Sequence, residues 1–184
     1  MQGWTTEAVV LKRVNVGEAD RVITLLTPDS GKLVGVAKGI RKPNSGQAAY
    51  FEPGNHIVLS IHQTKSLPIF AQSRLVNQFS AAKTKLQRLK QVFEILELAD
   101  LLFVEDNQDV EAFDSIIRIL ERLDTDHISL SDIQERLNQL LIHLGYQDWH
   151  QTAHRSILDY ASSLVERPVR SYDFLSVEKK DMVK

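Results

Sequence analysis

The chain has 184 residues, 43% hydrophobic and 25% charged, with 22 basic against 24 acidic residues and a formal net charge of −2. No apolar run approaches the roughly 20 residues of a membrane-spanning helix, which excludes that element. Cysteine is absent, and with it disulfides, thiolate zinc sites, iron–sulfur clusters and a cysteine nucleophile.

Up to Phe79 the sequence reads as five strands separated by turn signals. Glu7 to Val14 is rich in β-branched residues and is closed by Gly17-Glu18-Ala19-Asp20. Arg21 to Thr27 follows, and Pro28-Asp29-Ser30-Gly31 predicts a hairpin turn, its Pro pre-setting φ and its Gly accepting positive φ. Lys32 to Ile40 is the third strand, with Gly35 and Gly39 where a small barrel bends or bulges. Arg41 to Ala49 is a loop. His56 to His62 alternates, Ile57, Leu59 and Ile61 on one face and His56, Val58, Ser60 and His62 on the other. Leu67 to Val76 is the fifth strand. Five short strands in so few residues fit a closed barrel, which leaves no exposed edges.

From Ser80 the apolar period becomes helical. Leu86, Leu89, Val92, Phe93, Leu96, Ala99 and Leu102 or Phe103 predict one helix over 83–103. The acidic run Glu105 to Asp109 breaks it, and Phe113, Ile116, Ile117 and Leu120 mark a second. Ser131-Asp132-Ile133-Gln134 has the form of a capping box for a third, which Gly145 ends in a left-handed cap. Ile157 to Val165 is a fourth, stopped before Pro168, with a short turn at Tyr172 to Leu175 and a charged tail beyond. The expected fold is α+β, all-β then all-α: a five-stranded OB-type barrel over residues 1–79 and an α-helical domain over residues 80–184.

The near-neutral total hides a gradient. Residues 1–93 carry 13 basic and 5 acidic side chains, a net of +8, and residues 94–184 a net of −10. Such asymmetry points to a polyanionic partner for the basic part. Its densest stretch is Lys38-Gly39-Ile40-Arg41-Lys42-Pro43-Asn44-Ser45-Gly46, whose cations stand among glycines and small polar residues. A basic loop beside a barrel suits tracking along a nucleic-acid backbone, each neutralised phosphate releasing counterions; the plainer reading is a solvated loop. Lys12, Arg13, Arg21 and Lys32 in the flanking strands, and Lys65 and Arg74 in or near the fifth, line one groove if the barrel closes. Aromatic platforms are sparse: Trp4, Tyr50 and Phe70 are candidates, with Phe51 and Phe79 assigned to the core. Binding is therefore expected to rest on phosphates, with weak sequence preference. Lys83, Lys85, Arg88 and Lys90 form a second basic cluster, which is equally the wet side of an amphipathic helix.

Signals for an enzyme are missing. No phosphate-binding Gly-x-x-x-x-Gly-Lys, dinucleotide Gly-x-Gly-x-x-Gly, Gly-x-Ser-x-Gly elbow or His-Glu-x-x-His helix occurs. His150 and His154, even with Asp148, fall short of a metal ligand set. Neither catalysis nor a cofactor or metal is expected. The opening residues Met1 to Glu7 lack the basic, apolar and small-residue order of an export signal, so a cytoplasmic, nucleoid-associated location is expected.

In order along the chain, Arg13, Gly17-Glu18-Ala19-Asp20-Arg21, Thr24-Leu25-Leu26-Thr27, Gly31-Lys32, Ala37-Lys38-Gly39-Ile40-Arg41 and Glu52-Pro53 resemble the OB domain of the RecO family of bacterial recombination mediators. Leu144-Gly145-Tyr146 and Arg167-Pro168-Val169-Arg170-Ser171-Tyr172-Asp173-Phe174-Leu175 extend the resemblance more faintly. It implies an OB barrel followed by helices, binding of single- and double-stranded DNA, annealing of complementary strands, and work with RecR to load RecA onto DNA coated by single-strand-binding protein. It implies Arg13, Arg21, Lys32, Lys38, Arg41 and Lys42 as DNA contacts, to which the groove reading adds Arg74. The acidic tail of single-strand-binding protein, ending in Phe, would meet an apolar pocket rimmed by Lys83, Lys85, Arg88, Arg118 or Arg122. Many members of that family carry a cysteine-rich zinc module after the Leu-Gly-Tyr segment. Here Tyr146 leads through Gln147-Asp148-Trp149-His150 almost directly to the last helix, as if the module were excised and Trp149 covered the gap. The competing reading is a non-catalytic adaptor for RecR or single-strand-binding protein that contacts DNA little.

Overall fold

The structure, a computed structural model, describes residues 3–165. The expectations for Pro168, for Arg167 to Leu175 and for the charged tail lie outside the described residues. Five strands, β1 (Gly3–Val16), β2 (Asp20–Thr27), β3 (Gly31–Ala37), β4 (His56–His62) and β5 (Ile69–Asn77), precede five helices, α1 (Ser80–Thr84), α2 (Leu86–Leu102), α3 (Val110–Asp124), α4 (Leu130–His143) and α5 (Ile157–Val165), with one 3-10 turn at Trp149–Gln151. The strands close in the order β1-β2-β3-β5-β4. Strand β1 is long enough to pair with β4 through its first half and with β2 through its second, the register shifting between Val10 and Lys12. That bulge lets one strand serve two neighbours by increasing its twist.

The alternation read in β4 sets the inside of the barrel: Ile57, Leu59 and Ile61 are fully buried and pack with Val10, Ile23, Leu25 and Phe70. Each such aliphatic side chain contributes about 1.5–3 kcal/mol by leaving water. Gly35 serves packing more than bending. A Cβ there would lie 2.4 Å from the Phe70 ring and 2.8 Å from the Pro68 carbonyl oxygen, so the bare glycine is what lets β5 approach β3, which it meets in parallel at Val36 and Ile69.

The chain divides into two compact units, and the division differs from a cut after Phe79. The first unit is residues 1–78 with 103–113, the second 79–102 with 114–184. Segment 103–113, read as part of the helical domain, belongs with the barrel because it continues the β3 edge: the Lys32 N–H donates to the Val104 carbonyl at 2.9 Å, and Gly31 bridges Glu105. Phe113 also meets His56 edge-on at 6.1 Å between ring centroids.

In the second unit the helix expected over 83–103 is broken. Lys85 is extended between α1 and α2, and Asp124 accepts from the Ala82 N–H at 3.0 Å, filling one of the open donors of α1. The capping box sits two residues earlier than Ser131-x-x-Gln134. Ser129, in extended backbone, accepts from the Asp132 N–H, and the Asp132 side chain accepts from the Ser129 N–H; an aspartate fills the place usually held by Glu or Gln. The far end follows the sequence. Gly145 adopts φ 87°, its N–H donates to Ile142 and that of Tyr146 to Leu141, a Schellman closure. Trp149 is then buried, its backbone N–H held by the Asn138 side-chain oxygen at 2.8 Å. No helix among the described residues is long and apolar enough to cross a membrane.

Candidate nucleic-acid interface

The basic loop is fastened to the neighbouring turn by its own backbone. After β3, Gly39 takes φ 66°, and its N–H donates to the Asp20 carboxylate at 2.7 Å. The Arg41 N–H donates to the Ala19 carbonyl at 2.9 Å and its guanidinium to the Gly17 carbonyl at 3.0 Å. Further turns follow where Lys42 donates to Gly39 and Ser45 to Lys42. Loop 38–47 and the β1–β2 turn thus form one end of the barrel, presenting Lys38, Arg41 and Lys42 exposed to water.

Arg13 and Arg21 join this end from the side but are not equivalent to the loop cations. Arg13 lies 2.8 Å from the Glu52 carboxylate and Arg21 3.4 Å from its other oxygen. Arg21 also donates to the Asn15 side chain and the Ala48 carbonyl, and only 12% of its side chain is exposed. Two cations sharing one carboxylate leave a single net charge, so both act chiefly as struts that hold segment 48–52 against β1 and β2. Glu52 was legible in the sequence only as part of a family pattern; nothing local signals its double pairing.

Lys32 lies on β3, half-buried and outside the loop cluster, whereas Arg74 is exposed on β5 opposite Val58. Phe70 is not a stacking platform. It is 3% exposed and stacks on Phe51 inside the barrel, with centroids 6.5 Å apart. Trp4 and Tyr50 are partly buried against the same core. Between the loop and the start of β5 lies a cleft of about 460 Å3 with Ile40 and Ala71 on its apolar side and Asn44, Gln47 and Gln72 among its polar lining. Sequence reasoning missed it because it joins residues some 25 positions apart, across a β3–β5 contact that no local pattern announces.

Of the residues assigned to a partner's acidic tail, three already have an acidic partner within the chain. Lys85 and Arg88 converge on Asp126, at 2.6 and 2.7 Å, and Arg88 also donates to the Ile128 carbonyl and Gln91. Arg118 pairs with Asp114 one turn earlier on α3, and Arg122 is exposed on the same helix. Lys83 lies in the last turn of α1. The hydrogen bonds and charges of Lys85 and Arg88 lower the Asp126 carboxyl from 3.8 to about 2. A depressed folded-state value adds stability that is complete above the unfolded value and lost as pH falls through the folded one. Asp126→Asn is therefore expected to be less stable at neutral pH and to lose less stability between about pH 4 and pH 2; thermal unfolding across that range checks it, and parallel curves would remove the pairing from the account.

Among the described residues no cluster of three or more His, Asp or Glu suits a metal ion. His150 meets Glu135 at 3.3 Å. His154 stands between Asp159 at 3.2 Å and Ser163 at 3.3 Å, an order reminiscent of a hydrolytic triad. The Ser163 hydroxyl, however, donates to the Tyr160 carbonyl at 2.7 Å, and Ser156 accepts from the Asp159 N–H. The group runs along a polar side of α5, with the serine proton already committed to the helix backbone.

Residues 1–79, the five strands with the basic loop, match the family model described as recombination protein O, N terminal. Similarity runs on into the helices: the chain is 32% identical over 144 residues to the DNA repair protein RecO of Roseiflexus sp. strain RS-1, covering 78% of this chain and 50% of that one. Residues 1–79 are a RecO N-terminal domain, and the chain is similar to RecO proteins over most of its length. RecO of Salinibacter ruber is 32% identical over 142 residues, 74% of this chain and 55% of the relative, and that of Heliobacterium modesticaldum 37% over 102 residues, 55% and 37%. The chain spans about half the length of the curated relatives it matches. Its barrel is the RecO N-terminal OB domain followed by helices, as the ordered N-terminal pattern implied.

Proposed function

We propose that this chain is a RecO-type, non-catalytic DNA-binding mediator of recombinational repair. Its barrel binds single- and double-stranded DNA, lowers the repulsion between complementary strands so that they anneal, and acts with RecR to load RecA onto DNA covered by single-strand-binding protein. The observation that carries the reading is the barrel end itself: Lys38, Arg41 and Lys42 stand exposed on a loop pinned to the β1–β2 turn. Fixed cations in water lose little when a phosphate replaces their counterions, and the released ions supply the favourable entropy. The Glu52 pairing narrows the contact set to the loop cations, with Arg74 and Lys32 extending it along β5 and β3.

The adaptor reading draws on the helices, where Lys85 and Arg88 are spent on Asp126 and RecR or single-strand-binding protein would dock without DNA. Oligonucleotides of unrelated sequence separate the two. The mediator reading expects binding that weakens steeply with salt and annealing faster than the spontaneous rate. Firm binding to RecR with no DNA affinity at low salt would leave the adaptor.

A further inference from the structure

We propose that the cleft beside the basic loop is a pocket for one unpaired nucleobase, so that the barrel holds DNA by a base as well as by its phosphates. The inference rests on the DNA-binding reading of the same loop. The cleft, about 460 Å3, falls within the range of small-ligand sites, and its lining has the mixed character such sites share: Ala37, Ile40, Ile69 and Ala71 give apolar surface and Asn44, Gln47 and Gln72 give carboxamides.

Charge indicates which part of a nucleotide belongs there. Among the lining residues Lys38 is the single charged side chain and no acid is present. A sugar–phosphate would leave its anion against aliphatic carbons. A neutral planar heterocycle instead puts its faces on the aliphatic side chains and its donor and acceptor edge towards the amides, while its phosphate stays outside beside Lys38, Arg41 and Lys42. Carboxamides suit base edges because each offers both a donor and an acceptor.

Gln47 is set for this task. Its side-chain oxygen accepts from the Ser73 N–H and the Ser73 hydroxyl, both at 3.2 Å. A backbone N–H only donates, so the oxygen end of the amide is fixed on β5 and the amino group is left for whatever fills the cleft. Gln47 therefore offers a donor that matches an acceptor such as a base carbonyl or ring nitrogen. The inference revises the expectation of binding through phosphates alone, because aliphatic side chains as well as aromatic rings give a base face apolar contact.

The test compares the full chain's affinity for oligothymidylate with that for a strand of equal length and charge whose bases are replaced by abasic sites. The base-bearing strand is expected to bind at least roughly fivefold tighter, the lower end of what one stacked base contributes. Gln47→Ala and Gln72→Ala should each reduce that ratio and leave the salt dependence unchanged, since neither residue is charged. Gln72 guards against misfolding, its amide making no hydrogen bond within the described residues. Equal affinity for the two strands, still salt-dependent, overturns the pocket and leaves the DNA-binding reading standing. A ratio that both variants leave intact also overturns it, placing the base contact elsewhere. Failure to bind either strand overturns both.

Discussion

Replacing Lys38, Arg41 and Lys42 together by Ala is expected to lower affinity for any oligonucleotide by roughly 30- to 100-fold at low salt, alike for unrelated sequences. Each phosphate neutralised contributes about 0.9 to the slope of log affinity against log salt on duplex DNA and about 0.7 on single strands, so three lost contacts flatten the slope by about two to three. The structure makes this variant a clean test of charge. Lys38 and Lys42 are exposed, and although the Arg41 guanidinium reaches the Gly17 carbonyl, its backbone N–H still ties the loop to Ala19 and Gly39 still donates to Asp20. Loop geometry therefore survives the loss of the side chains, which circular dichroism and melting temperature verify. An unchanged slope in a folded variant would take the loop out of the site.

The second large effect concerns Gly31, where the barrel meets segment 103–107. Gly31 has φ 63°, and a Cβ there would stand 2.6 Å from both the Val104 and the Asn107 carbonyl oxygens. Both are backbone atoms, so neither swings aside, and the bridge to Glu105 must break or shift. Gly31→Ala is expected to cost about 2–4 kcal/mol, combining left-handed strain with overpacking, or roughly 5–15 °C in melting temperature for a chain of this size. Gly17→Ala is the control. It has φ 56° and nothing within 4 Å of the added carbon, so it meets only the backbone cost of about 1–2 kcal/mol. Equal losses at the two positions would mean that segment 103–107 does not press on the barrel.

The fold was legible wherever one local signal governed one element. Alternation placed Ile57, Leu59 and Ile61 inside and fixed β4 to the residue, and Gly145 after Leu144 announced its Schellman turn. Reading failed where tertiary contacts outvote a local pattern. The apolar period runs unbroken through Lys85, yet the chain extends there and Lys85 pairs with Asp126, which a sequence scan cannot see. Ser129 and Ser131 both have acceptor residues three positions on, and backbone geometry chose the first. At the candidate site, the cations were visible as residue types and their partners were not. Glu52 turns Arg13 and Arg21 into struts from over 30 positions away, and the pairing of β5 with β3 draws Phe70 over Gly35 into the core. What remained readable was the loop whose cations have water as their main neighbour.

The most direct measurement carries a photoreactive single strand onto the intact chain at low salt and maps the crosslinked peptides by mass spectrometry. Adducts concentrated in residues 38–47 and in the adjoining turn at 17–21 are the predicted result, competed away by plain DNA and suppressed by added salt. Adducts confined to residues 80–165, with the barrel unmarked, would contradict the assignment of DNA binding to the barrel.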